Sequence, residues 1–160
     1  MITDQQYNII LQEYRDFVNG CGEWVRWPQT GIYNGVWDVI PLWLWPEPIP
    51  HENQQYFKRS CKIIEQVFPG HRAVGFSRMA AGTEILPHYG DSSPGNRDVL
   101  RYHLGIDVPD GDTALVVGDV QHQWENGIGF TFDDHELHSA YNRTERDRVI
   151  LIVDYVPENK

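Results

Sequence analysis

The chain has 160 residues, of which 13 are Lys or Arg and 23 are Asp or Glu, so its formal net charge is −10. This length suits a single domain, and a hydrophobic fraction of 41% is sufficient for a packed core. An acidic surface repels phosphate backbones and anionic lipid headgroups, which disfavours nucleic-acid-binding and membrane-binding functions.

The N-terminus and the cysteine content indicate the compartment. The N-terminus carries no basic stretch followed by a long apolar one, and no apolar run reaches the roughly 20 residues of a membrane helix. The two cysteines, Cys21 and Cys61, are too few for a disulfide framework. We therefore expect a soluble, cytoplasmic protein with reduced thiols.

Two helices are predicted before the first long strand pattern. The first has Thr3 and Gln6 as a capping box and ends at Asn19-Gly20. The second covers Glu52–Phe68 and ends at Pro69-Gly70. Between them lies a segment rich in Trp and Pro, in which 36–45 is predicted to be a strand interrupted at Pro41.

From Ala73 onward the pattern changes to short strands separated by turn residues. Such spacing favours an antiparallel sandwich or barrel over a parallel α/β sheet. We predict a mostly β jelly roll of about eight strands within one domain, residues 1–160, in which 71–157 form the β core and 1–70 a helical and aromatic cover. The predicted strands of the core are 73–79, 83–88, 99–106, 113–118, 129–133, 137–142 and 148–156.

Two arginines interrupt apolar strand patterns. Arg101 and His103 share one face of their strand, opposite Leu100, Tyr102 and Leu104. Arg148 likewise begins a strand of alternating apolar residues. An arginine in such a pattern is costly unless it meets an anion. The alternative is an edge-strand arginine that reaches solvent or a surface carboxylate.

Two histidines are candidate metal ligands. His88 ends one predicted strand before a polar loop, and His138 begins another just after Asp133-Asp134. Neutral imidazoles suit iron, zinc and copper, and the mouth of a jelly roll can bring two of them together. The pair Asp133-Asp134 is interpreted as a turn-forming element, because Asp side chains bond to nearby backbone groups.

The motifs also occur in a characteristic order, and together they resemble the aspartyl/asparaginyl β-hydroxylase family. These proteins are iron(II)- and 2-oxoglutarate-dependent oxygenases built on a double-stranded β-helix. The similarity extends from Val36 to Pro157, and Arg148 follows His138 by ten residues. The matching motifs are Pro87-His88-Tyr89-Gly90, Arg101-Tyr102-His103-Leu104-Gly105, Trp124-Glu125-Asn126-Gly127, Phe132-Asp133-Asp134, His138 and Arg148.

The resemblance implies a role for individual residues. His88 and His138 match the two iron ligands, and Arg148 matches the arginine that pairs with the distal carboxylate of 2-oxoglutarate. Ser77 and His103 match further contacts to that cosubstrate. Arg101 matches a residue on the substrate side of the pocket, where it is our candidate contact for a substrate carboxylate.

The third iron ligand of related oxygenases has no counterpart here. A carboxylate usually follows the first histidine by two residues, and Gly90 stands at that position. The resembled family also has Gly there, which suits a two-histidine site completed by water. Asp91 could reach the metal if the chain bends at Gly90. A vacant carboxylate position also resembles the iron-dependent halogenases, in which chloride binds there.

The sequence therefore predicts an enzyme that requires Fe²⁺, 2-oxoglutarate and O₂ and releases succinate and CO₂. The expected reaction is hydroxylation of an unactivated carbon, foremost the β-carbon of an aspartyl or asparaginyl unit in an amino acid or peptide. A 2-oxoglutarate-dependent halogenase and a non-enzymatic cupin-like metal-binding protein are the alternatives.

Overall fold

A computed structural model of the chain describes residues 1–20, 22–45 and 47–158, so Cys21 lies outside the described residues. Helix α1 (Asp4–Asn19) begins at Thr3, whose side chain and that of Gln6 form the predicted capping box. Helix α2 (Lys58–Val67) is the second helix. None of the described helices combines the length and apolarity needed to cross a membrane.

The described residues form twelve strands, all of whose ladders are antiparallel. The strands are β1 (Val25–Arg26), β2 (Tyr33–Asn34), β3 (Trp37–Leu44), β4 (Ile49–Pro50), β5 (His71–Met79), β6 (Glu84–His88), β7 (Leu100–Asp107), β8 (Thr113–Val117), β9 (Val120–His122), β10 (Gly129–Phe132), β11 (His138–Asn142) and β12 (Arg148–Tyr155).

The strands make two facing sheets. The larger follows the order β1-β3-β5-β12-β7-β10, with β4 paired to β3, and the smaller follows β2-β6-β11-β8-β9. This is the predicted mostly β, jelly-roll or double-stranded β-helix architecture with two helices packed on it. The prediction of the fold class is confirmed.

The large sheet separates two apolar cores. On β12, Val149, Leu151 and Val153 belong to the core beneath the helices, while Ile150 and Ile152 belong to the core between the sheets. Each buried side chain of this size contributes roughly 1.5–3 kcal/mol through burial. The alternation that the sequence shows on this strand therefore directs Arg148, in phase with Ile150, into the space between the sheets.

The second predicted helix is divided in the structure. Residues Glu52–Tyr56 form a 3-10 turn, and the α-helix begins only at Lys58. At the junction Phe57 has φ −127° and ψ 38°, which is not helical, and its side chain is completely buried. Its ring packs against Phe17 and Phe76, with centroids 5.0 and 5.2 Å apart. Burial of this ring in the core prevents a continuous helix.

The N-terminal segment is more than a cover. The predicted strand around Pro41 exists as β3, but it continues through Pro41 and pairs with β5 inside the large sheet, with a register shift between Pro41 and Trp43. Trp37 consequently belongs to the core between the sheets. The segment 1–70, expected to cover a 71–157 β core, thus also supplies β3 to the large sheet. Strands β1, β2, β4 and β9 went unpredicted because two or three residues show no periodicity.

Candidate active site

A pocket between the two sheets gathers most of the predicted site residues. Its walls include six of them, and Asp91 is the exception. The large sheet contributes four from β5, β7 and β12, whereas the two histidines come from β6 and β11 of the small sheet. The six are Ser77, His88, Arg101, His103, His138 and Arg148.

The two candidate metal ligands lie side by side. His88 and His138 are paired directly across β6 and β11, and their ring centroids are 4.2 Å apart. Each Nδ1 lies against a carbonyl two residues earlier, that of Leu86 at 2.7 Å and that of Glu136 at 2.8 Å. A carbonyl only accepts, so each Nδ1 carries the proton and each Nε2 is free to bind a metal.

Burial favours the state of His138 that can bind a metal. Desolvation lowers the pKa of His138, and the neighbouring His88 and Arg101 lower it further. A neutral imidazole is the form that ligates a metal ion. The pair therefore fits a divalent iron that keeps several coordination positions open.

The space beside the Cα of Gly90 is filled by Asp134. The Gly90 amide donates to the Asp134 carbonyl at 2.8 Å, and a Cβ on Gly90 would lie 2.7 Å from Oδ2 of Asp134. Asp134 is buried, and its Oδ1 has no hydrogen-bond partner within the described part of the chain. The carboxylate of Asp134, from the turn before β11, therefore fills the space that a side chain at position 90 would need.

Asp91 points away from the histidine pair. It is exposed, and its carboxylate accepts hydrogen bonds from the amide of Ser93 at 2.9 Å and from the Ser93 hydroxyl at 3.1 Å. These bonds close a local turn of the polar loop. The bend at Gly90 thus does not turn Asp91 toward the predicted metal.

Arg148 is a buried cation without an anion. It is 2% exposed, and no carboxylate among the described residues pairs with it. Its Nη2 donates to the hydroxyl of Ser77 at 2.9 Å, whereas its Nε has no hydrogen-bond partner in the described part of the chain. Burial lowers the pKa of Arg148 to about 9. Such a group is expensive to bury alone, so the pocket is built for an anion.

Ser77 is set to donate to the same anion. Its Oγ accepts from Nε1 of Trp37 at 2.8 Å as well as from Arg148. A hydroxyl has two acceptor lone pairs and one donor, so the hydrogen of Ser77 remains available. Ser77 and Arg148 together present donors to one point of the pocket.

His103 provides a further donor. Its Nδ1 accepts from Nε1 of Trp124 at 3.1 Å, and its buried Nε2 has no hydrogen-bond partner among the described residues. Burial lowers the pKa of His103 well below its usual value, and the nearby Arg101 and Arg148 act in the same direction. A neutral ring that accepts at Nδ1 carries its proton on Nε2.

The depressed pKa of His103 has a consequence for stability. In the unfolded chain this histidine binds a proton near pH 6.5, whereas buried His103 in the native protein does not. The free energy of unfolding therefore falls as the pH drops below that value. As the pH is lowered from 7.5 to 5.5, we expect this residue to reduce the free energy of unfolding by about 1.4 kcal/mol. Metal-free His103→Gln should therefore lose less stability than wild type over that interval, measured by urea unfolding. An identical loss in both proteins would contradict the assignment.

Arg101 is already paired. Its Nε and Nη2 donate to the two carboxylate oxygens of Asp154 at 2.7 and 2.9 Å, and Oδ2 of Asp134 lies 3.5 Å from Nη2. Burial lowers the pKa of Arg101, but the attraction of Asp154 and Asp134 outweighs it and raises the net value. The expected free cation for a substrate carboxylate is thus compensated within the protein.

Sequence reasoning missed Trp124, which lines this pocket, and Asp134, which lies beside Arg101 and Gly90. Asp134 was interpreted as a turn former, although the absence of a side chain at Gly90 is a signal that another group fills that space. Trp124 was recognised only as part of a motif, and its contact with His103 depends on residues 21 positions apart.

Comparison with known proteins agrees with this geometry. The model of the family described as aspartyl/asparaginyl beta-hydroxylase matches residues 4–157. Among curated relatives, the human aspartate beta-hydroxylase domain-containing protein 2 is 38% identical over 165 residues, which cover 96% of this chain and 43% of that protein. The ornithine lipid ester-linked acyl 2-hydroxylase of Rhizobium tropici is 38% identical over 94 residues, 57% of this chain and 32% of that protein.

The chain spans less than half the length of these two relatives. Among solved structures, a prolyl-4-hydroxylase from Pseudomonas putida has the same fold, with a TM-score of 0.60 and 14% sequence identity. That likeness covers 96% of this chain and 88% of the other.

Proposed function

The chain belongs to the aspartyl/asparaginyl β-hydroxylase family, and we propose that it is an iron(II)- and 2-oxoglutarate-dependent hydroxylase. The observation that carries the proposal is the pairing of two features in one pocket. On one sheet the buried cation Arg148 has no anion among the described residues, and from the other sheet two imidazoles with free Nε2 atoms face it.

The cosubstrate fits the donors of the large sheet. Arg148 and Ser77 would bind the distal carboxylate, because a guanidinium offers the planar fork that a carboxylate prefers. His103 would donate from Nε2 to an oxygen nearer the metal. His88 and His138 would hold the iron, and the carboxylate of Asp134 lies against Gly90, two residues after His88. Apolar side chains of the pocket, such as Ile150 and Ile152, would keep water from the reacting groups.

Bound iron(II) and 2-oxoglutarate would supply the oxidising power. One oxygen atom of O₂ would end in the succinate formed from 2-oxoglutarate with loss of CO₂, and the other would be inserted into a C–H bond of the substrate. The protein contributes positioning and shielding. Its donors hold the cosubstrate in one orientation, so that its keto acid end meets the histidine pair.

The halogenase alternative loses support from Asp134. Chloride would bind where a carboxylate two residues after His88 would reach the metal, and the Asp134 carboxylate lies against Gly90, the residue at that position. A chloride close to this carboxylate would meet electrostatic repulsion. We therefore propose hydroxylation as the outcome.

Two substrate classes remain, an aspartyl or asparaginyl unit and an aliphatic acyl group. The second is favoured by the pairing of Arg101 with Asp154, which removes the candidate cation for a substrate carboxylate. Apolar side chains also flank the histidines, since Tyr89 follows His88 and Leu137 precedes His138, and these are 69% and 43% exposed. One relative is named as an acyl hydroxylase.

Succinate formation tests the activity and the substrate together. Protein with Fe²⁺, ascorbate and 2-oxoglutarate is offered free amino acids, Asp- and Asn-containing peptides, and acyl-amide or acyl-ester lipids in mixed micelles. We expect one class to accelerate succinate formation and to gain the mass of one oxygen atom. A chlorinated or brominated product in halide buffer would indicate the halogenase, and metal binding without succinate for any substrate would indicate the non-enzymatic alternative.

A further inference from the structure

We propose that Trp124 is a positioning residue, which rests on the proposed function: its indole fixes His103 and Arg148 as donors to the anionic cosubstrate without neutralising either. Trp124 is 5% exposed and lies in the segment between β9 and β10. It contacts both groups at once, by its N–H on one side and by its ring face on the other.

The N–H of Trp124 sets the tautomer of His103. An indole nitrogen can only donate, so the 3.1 Å contact makes Nδ1 of His103 the acceptor. The proton of the neutral ring is then on Nε2, the buried atom that lacks a partner in the described structure. Without this contact the two tautomers would compete, and one of them would present a lone pair to the incoming carboxylate.

The ring face of Trp124 holds Arg148. The guanidinium carbon lies 4.5 Å from the ring centroid, a cation–π geometry that attracts the cation without cancelling its charge. Arg101 shows the contrast, because Asp154 both orients and neutralises it. The aromatic contact therefore leaves the positive charge of Arg148 available to a ligand.

Gly105 explains how the Trp124 segment reaches this place. Gly105 lies two residues beyond His103 on the same face of β7, and a Cβ there would collide with the backbone of Glu125. The amide of Gly127 donates to the carbonyl of Gly105 at 2.9 Å, and the amide of Gly105 donates to the carbonyl of Ile128 at 3.2 Å. The segment is thus hydrogen-bonded directly onto the strand that carries His103.

The test uses Trp124→Phe, which keeps an aromatic ring and removes the N–H. In wild type, ¹⁵N-detected spectra of the imidazoles should show His103 with its proton on Nε2. In the variant we expect a mixture of tautomers and a KM for 2-oxoglutarate raised about tenfold, as loss of one hydrogen bond to a charged group implies, with kcat changed less than twofold.

Trp24→Phe is the matched control. Trp24 also lies against an arginine, with the Arg78 guanidinium 4.4 Å from its ring centroid, but it is partly buried and packs against the core beneath the helices. This variant should leave the His103 tautomer and the KM unchanged. If Trp124→Phe fails to fold, 3-benzothienylalanine at position 124 replaces the N–H with sulfur in a ring of the same shape, and the same two changes are expected.

An unchanged tautomer with an unchanged KM would overturn the proposal, and so would a fall in kcat alone. The tautomer is read from the metal-free protein without cosubstrate. If wild-type protein shows the Nε2–H tautomer but binds no 2-oxoglutarate, the proposed function fails while the structural part of this inference stands.

Discussion

Arg148→Met should abolish 2-oxoglutarate binding and, at the same time, stabilise the ligand-free protein. Removing one partner of a buried charge pair costs about 2–5 kcal/mol, so the Kd should rise at least about 30-fold. Without ligand the buried guanidinium meets no carboxylate among the residues that the structure describes, and an apolar side chain of similar length removes that penalty. Unfolding monitored by heat and binding measured by calorimetry test both effects.

The two effects should have opposite signs in one protein. We expect the Tm of ligand-free Arg148→Met to exceed that of wild type by roughly 2–4 °C, the shift that about 1 kcal/mol causes at this size. Saturating 2-oxoglutarate should then raise the Tm of wild type and leave the variant unchanged. A lower Tm together with unaltered 2-oxoglutarate affinity would refute the assigned role.

Arg146→Met is a suitable control for this experiment. Arg146 is two residues away, its side chain is 64% exposed, and it pairs with Asp107 at the surface. A surface pair contributes about 0–1 kcal/mol, so this variant should bind 2-oxoglutarate as wild type does. Loss of binding in both variants would point to a general effect of net charge.

His88→Ala and His138→Ala should each lower metal affinity at least about 100-fold. Removing only an outer partner of a metal ligand typically costs 10–100-fold, and these variants remove a ligand itself. Anaerobic titration with Fe²⁺ or Co²⁺ measures the affinity, and succinate formation should be lost in parallel. Neither variant should lose the cosubstrate contacts on the facing sheet, because Arg148 and Ser77 are unchanged in both.

Two further histidine variants distinguish metal binding by His88 and His138 from metal binding by a second group of potential ligands. Asp133, Asp134 and His135 carry potential ligand atoms within 4.8 Å of one another. His135→Ala should leave metal affinity nearly unchanged if the histidine pair binds the metal. His122→Ala, in which the ring removed stacks on Phe130, controls for loss of any imidazole. Metal binding that depends on His135 but not on His138 would show that the metal site is formed by Asp133, Asp134 and His135.

Much of the site was predictable because strand periodicity carries directional information. On β12, Arg148 is in phase with the inward Ile150 and Ile152, and on β7 the alternation places Arg101 and His103 together on the face opposite Tyr102 and Leu104, so these residues could be found from the sequence. The order of the histidines and arginine along the chain supplied the rest through the family resemblance. Pairing partners carry no such local signal, which is why Arg101 was proposed as a contact for a substrate carboxylate and its pairing with Asp154 was not foreseen.

The sequence alone determined the fold class, the two helices and the residues that face the interior, because these depend on spacing within short segments. The tertiary structure alone decided which of those residues have partners. Asp134 beside Gly90, Asp154 beside Arg101 and Trp124 beside His103 are contacts between segments distant along the chain. The physical reason is that a buried charge or imidazole takes its character from what it touches, and those contacts exist only after segments distant along the chain have been brought together by strand pairing.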